Sequence, residues 1–134
     1  MKKRNTFLAI GILLLSTVIL FSACKKKTDD TPTPTPSAPS FVVTSQPNGT
    51  DYFFIWAKCI TDDILLTKVI IKDPFNQSYT YTGNQQLWLK DETIAFPDTY
   101  PKSSGTWRLT FYGNKSANGT SFVSNATLSI SGKK

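Results

Sequence analysis

The stretch Gly105-Thr-Trp-Arg-Leu-Thr-Phe-Tyr-Gly113 constrains the fold more than any other part of the chain. Its residues alternate in character. Trp107, Leu109 and Phe111 fall on one side of an extended backbone, and Thr106, Arg108, Thr110 and Tyr112 on the other. A helix would scatter the three apolar residues around its axis, so the period of two marks a strand with one buried and one wet face. After the Asn118-Gly119 turn signal, Phe122, Ala126, Leu128 and Ile130 again share a side. The two segments read as a closing β-hairpin.

The same pattern extends back to Phe41. Short β-branched and aromatic runs predict strands at Phe41–Ser45, Tyr52–Ile60, Thr67–Lys72, Ser78–Thr82, Leu87–Lys90, Thr93–Phe96, Thr106–Gly113 and Ser121–Ile130. Turn chemistry separates them: Pro47-Asn48-Gly49, Asp73-Pro74-Phe75-Asn76, Gly83-Asn84, Tyr100-Pro101 and Asn118-Gly119. Many short strands at this spacing, with no long helical periodicity, predict an all-β antiparallel sandwich over residues 41–132. Tyr52–Ile60 is unusual because both of its faces are apolar. Phe53, Ile55, Ala57 and Cys59 alternate with Tyr52, Phe54 and Trp56. Either a central strand has its second face partly covered, or an aromatic row stands in solvent.

Upstream, the chain changes character twice. Thr31–Ser40 reads Thr-Pro-Thr-Pro-Thr-Pro-Ser-Ala-Pro-Ser. Each proline fixes φ and removes a donor, so the segment joins no sheet and favours polyproline II. A disordered Thr/Pro linker is expected over 24–40, reaching roughly 50 Å at about 3.1 Å per residue. Before it, Lys2, Lys3 and Arg4 precede the apolar run Phe7–Phe21, and Ser22-Ala23 leads into Cys24. A membrane span needs about 20 apolar residues. The shorter run with basic start and small residues is the pattern of a signal peptide over 1–23.

Phe21-Ser22-Ala23-Cys24 resembles the lipobox of bacterial lipoproteins, with Phe21 in the place usually taken by Leu. The resemblance implies that the Cys24 thiol receives a lipid, that cleavage falls before it, and that fatty acyl groups such as palmitate tether the protein to a membrane. Acyl chains contribute about 0.8 kcal/mol per buried methylene, so several together anchor firmly. Lys25 follows the cysteine, which by the same resemblance is no inner-membrane retention signal. The run Ser22-Ala-Cys-Lys-Lys-Lys-Thr-Asp-Asp30 is similar to lipoproteins of the Bacteroidota, and implies an outer-membrane protein displayed on the cell surface. The last hairpin, Gly105–Ile130, is similar to that of immunoglobulin-like domains in bacterial surface lipoproteins. With Cys24 lipidated, Cys59 is left alone, without the disulfide of antibody-type domains, and reads as a small buried hydrophobe.

Charge and chemistry narrow the function. Eight of the 15 basic residues lie in Lys2–Arg4, Lys25–Lys27 and Lys133-Lys134, which leaves seven against the nine acidic ones of the whole chain, so the body is near neutral. No basic face remains for nucleic acid. The chain has no histidine, which removes Ser-His and Cys-His machinery and the commonest zinc ligand. Asp62-Asp63 and Asp91-Glu92 offer hard oxygens, but without EF-hand spacing, and read as solvated loop charges. Neither enzyme activity nor a cofactor or metal is expected. The expected function is a non-catalytic cell-envelope lipoprotein presenting an immunoglobulin-like domain for binding or scaffolding, with an envelope protein as partner. The alternative is a surface carbohydrate-binding module accessory to glycan uptake. Its candidate residues are Tyr79, Tyr81 and Trp88 for stacking on sugar rings, with Asn84, Gln85 and Gln86 for the hydroxyls.

Overall fold

A computed structural model of the chain describes residues 37–132. The signal-peptide segment, Cys24 and most of the Thr/Pro linker therefore lie outside the described residues. The described part is all-β. Its strands are β1 (Phe41–Asn48), β2 (Tyr52–Cys59), β3 (Ile64–Lys72), β4 (Ser78–Trp88), β5 (Thr93–Ala95), β6 (Tyr100–Pro101), β7 (Gly105–Lys115) and β8 (Ser121–Ile130).

Two antiparallel sheets pack face to face. In the first, β2 is flanked by β1 on one side and by β5 and β6 on the other; the second has the order β4-β3-β7-β8. Strands β1, β2 and β5 thus occupy the places of A, B and E in an immunoglobulin-like sandwich, and β4, β3, β7 and β8 those of C′, C, F and G. The alternation read from sequence decides what faces inward. Phe53, Ile55, Ala57 and Cys59 of β2 meet Trp107, Leu109 and Phe111 of β7 in one buried core. Trp107 is fully buried, with Phe53 edge-on at 5.1 Å and Tyr100 at 5.9 Å. Its Nε1–H donates to the Ser103 carbonyl at 3.1 Å, so the one polar atom of the ring is satisfied.

Two expectations change. Ser78–Thr82 and Leu87–Lys90 are not separate strands around a Gly83-Asn84 turn. They are largely the two arms of β4, joined by a bulge in which Asn84 (φ 51°) and Gln85 (φ 56°) adopt left-handed backbone. The neighbouring strand slips at the same level. The register of β3 shifts between Leu66 and Lys68 against both β4 and β7. Glycines hold this slip from both sides. A Cβ on Gly83 would strike the Leu66 carbonyl oxygen, and one on Gly113 the Leu65 carbonyl oxygen. The slip also resets the phase, so Ile64 and Leu66 face inward before it and Val69 and Ile71 after it.

The second change is β6, which the sequence marks as a turn. After β5, Phe96 N–H donates to the Ile55 carbonyl at 3.2 Å, and Pro97, with no donor, interrupts the ladder. Pairing with β2 resumes at Tyr100↔Phe53 and Pro101↔Tyr52.

The chain enters at one end of the sandwich. Pro39 is buried, and its carbonyl accepts the Ser124 hydroxyl at 2.6 Å. Ser40 N–H donates to Thr61 Oγ1 at 3.0 Å. This proximal end also holds Asp62, Asp63 and Lys115; the Asn48–Tyr52 and Asp73–Gln77 turns lie at the distal end.

Candidate functional site

Strand β2 resolves the ambiguity left by its two apolar faces. Its inward residues are core. Its outward residues are Tyr52, 51% exposed, Phe54, half-buried, and Trp56, 38% exposed, followed by exposed Lys58. The second face is therefore an aromatic row in solvent. Successive outward residues on a strand lie about 6.8 Å apart, so the three rings span roughly 14 Å along the sheet.

The register with β1 sets a polar side chain beside every ring. Thr44 lies opposite Trp56, Gln46 opposite Phe54 and Asn48 opposite Tyr52. Directly opposed residues have Cβ atoms about 4.5–5.5 Å apart, within reach of one ligand. Thr44, Gln46 and Asn48 are exposed, and among the described residues none of their side chains bonds to another protein group. On the other flank, Ala95 lies opposite Trp56 and Pro101 opposite Tyr52, which keeps that border low and apolar. Among the outward residues of β1 and β2, Lys58 alone is charged, at the proximal end. The surface combines flat apolar rings, amide and hydroxyl groups, and little charge. Such a surface stacks on the C–H faces of sugar rings and hydrogen-bonds their hydroxyls.

The residues singled out on β4 are placed differently. Tyr79 and Tyr81 are half-buried and face inward. The Tyr79 ring lies edge-on to Tyr100 at 5.2 Å, and Tyr81 edge-on to Phe96 at 5.1 Å. Burial, and then the charge of Asp73, raises the Tyr79 phenol above its ordinary pKa. Burial, followed by Asp98 and Tyr79, raises Tyr100 further. Trp88 packs against the core opposite Ile64, and its buried Nε1 has no protein partner. Asn84 and Gln85 are exposed in the bulge, and exposed Gln86 lies opposite Leu66. The fold thus brings Tyr79, Tyr81 and Trp88 to the inner side of β4 and not into an open row.

The acidic residues serve turns. Asp63 Oδ1 accepts Lys90 N–H at 2.6 Å, and Glu92 Oε2 accepts Leu89 N–H at 2.9 Å. Asp62 pairs with Lys115 at 3.1 Å. The Thr61 hydroxyl, and then Lys115, hold the Asp62 carboxyl below the usual carboxylate range. No group of three or more potential metal ligands occurs among the described residues. Cys59 is buried, 4.0 Å from Thr61 Oγ1.

The row Tyr52-Phe54-Trp56 was only half legible: the period of two grouped its residues, but did not say which apolar face of β2 met the core. The row Thr44-Gln46-Asn48 was not read, because the strand was expected to end at Ser45 and Pro47-Asn48 to turn, whereas β1 runs on to Asn48. No protein-family model, curated protein or solved structure matches the chain.

Proposed function

We propose that the chain is a lipid-anchored, non-catalytic binding module of the bacterial cell envelope. Its contact surface is the outer face of β1 and β2, and its ligand class is an uncharged glycan chain. The observation that carries this reading is the exposed ring row, with one amide or hydroxyl in register beside each ring. Apolar side chains in water add little to folding, so a row of three on one strand needs a reason outside the fold. The near absence of charge favours sugar hydroxyls over a phosphate-rich or strongly charged partner. The lipid anchor rests on Phe21–Cys24 and the run before it. Without histidine, and with Asp63 and Glu92 accepting backbone bonds, the reading assigns no residue to catalysis.

One observation favours a second reading, in which a protein strand is the partner. Strand β1 pairs with β2 alone, so its far edge offers unpaired backbone groups. Pro47 removes one donor from that edge near its distal end.

Glycan-array binding by the full chain tests the first reading, with Trp56→Ala and Tyr52→Ala as probes. Each variant is expected to lose at least about tenfold in affinity, or about 1.4 kcal/mol, while still folding. Binding that survives both changes would remove the glycan surface from this face. Metabolic labelling with a palmitate analogue tests the anchor: the label and membrane partitioning are expected to disappear in Cys24→Ala.

A further inference from the structure

We propose that a depression on the outer face of the β4-β3-β7-β8 sheet binds a single oxyanion group, a carboxylate, sulfate or phosphate. It has a volume of about 280 Å³ and is lined by Lys72, Asn76, Arg108, Thr110, Asn125 and Thr127, with Leu109 and Ala126 between them. It lies on the opposite side of the sandwich from the aromatic row and is independent of it.

The register creates the site. Lys72 on β3 lies directly opposite Arg108 on β7, and Arg108 directly opposite Thr127 on β8. Like charges set opposite one another across a ladder are destabilising. The other outward cation of β3 is compensated, because Lys68 Nζ sits 4.7 Å from the centre of the Tyr112 ring. Lys115 is paired with Asp62. Among the described residues, Lys72 and Arg108 have no carboxylate partner. The nearest acid in sequence, Asp73, is buried, and its Oδ1 accepts Phe75 N–H at 2.9 Å and Gln77 N–H at 2.8 Å. It closes the β3–β4 turn instead of pairing with Lys72.

The neutral side chains also point to an acceptor ligand. Thr110 Oγ1 donates to Asn125 Oδ1 at 2.9 Å, which leaves the amide N–H groups of exposed Asn125 without a protein acceptor among the described residues. No acidic side chain lines the depression. An oxyanion would accept charge-assisted bonds from Lys72 and Arg108 and neutral ones from Asn125 and Thr127, and would relieve the facing charges. Guanidinium and ammonium together suit either a planar carboxylate or a tetrahedral anion.

The test uses the full chain in uncharged detergent micelles. Sulfate, phosphate and glucuronate are titrated at constant ionic strength against chloride, with glucose as the neutral control. Melting temperature and ¹⁵N chemical shifts are read together. At least one oxyanion is expected to raise the melting temperature saturably and to shift the Arg108 and Asn125 side-chain signals. Glucose is expected to do neither. Arg108→Gln and Lys72→Gln should each weaken the response about tenfold. Response to glucuronate alone assigns the site to an acidic sugar, and response to sulfate or phosphate alone to a tetrahedral anion. In chloride alone the double variant Lys72→Gln/Arg108→Gln should melt at or above the native temperature, because the repulsion is gone. A lower melting temperature for the double variant, an unsaturable response, or equal responses of native and double variant would each overturn the proposal.

Discussion

Strands β2 and β7 hold equivalent positions in their sheets, each with partners on both sides and one face turned to the core. Their outer faces differ. Strand β7 shows Thr106, Arg108, Thr110 and Tyr112, a composition that water accommodates. Strand β2 shows Tyr52, Phe54 and Trp56. The inner faces do the same work, so the contrast separates residues that the core requires from apolar residues that it does not. A tryptophan of each kind is present. Trp107 is fully buried with its N–H bonded inside; Trp56 is 38% exposed and makes no ring–ring contact among the described residues.

The largest expected effect sharpens that contrast. Trp107→Ala should destabilise the domain by about 3–5 kcal/mol, the range for emptying a large aromatic site. Trp56→Ala should cost no more than about 1 kcal/mol. Denaturant titration of the two variants measures both, and equal losses would erase the distinction between the faces.

Next in size is the bulge shared by β3 and β4. Gly83→Ala and Gly113→Ala should each cost about 1–3 kcal/mol, because the new methyl meets a backbone carbonyl that cannot turn aside. Gly119→Ala offers a control at a turn with open space around it, where only the positive φ of 69° opposes the change. Chemical denaturation ranks the three.

A smaller effect concerns the proximal end. Asp62 has a folded pKa below its unfolded one, through Thr61 first and Lys115 after opposing burial. Its stabilisation is therefore present above the ordinary carboxylate range and fades as pH falls through the folded value. Asp62→Asn should cost at most about 1 kcal/mol at neutral pH, as befits a half-exposed pair. The gap between variant and native should close as pH drops below about 4. Melting curves across that range check the sign: a gap that widened on acidification would contradict it.

Most of the architecture was legible because alternation and turn residues carry it. Strand β7 was placed to within one residue at its distal end and two at its proximal end, and Ser121–Ile130 matches β8 as read. The misread parts have local causes. Gly83-Asn84 is a turn signal in sequence, yet left-handed residues also serve a bulge, and the chain runs on as β4. The slip in β3 was not read, because the strand was expected to begin at Thr67 and apolar Leu65 and Ile70 mask the three-residue step from inward Leu66 to inward Val69. Tyr100-Pro101 lacks the length of a strand and pairs only because β2 offers an open ladder beyond Pro97.

The surface was harder to read for a different reason. Periodicity groups residues by side, but only packing decides which side is wet. On β4, Tyr79 and Tyr81 alternate with Thr80 and Thr82, and the sheet turns the tyrosines inward because they bury more apolar area. On β2 both sides were apolar, so composition did not choose. The Lys72–Arg108 juxtaposition depends on a cross-strand register 36 positions apart in sequence, which no local pattern reveals.

The central claim is that the outer face of β2 binds while its inner face folds. The most direct measurement is glycan affinity of the full chain and of Trp56→Ala, each with its melting temperature recorded on the same sample. The account expects saturable binding that falls at least about tenfold in the variant with little change in melting. Full binding by a well-folded Trp56→Ala chain would contradict it.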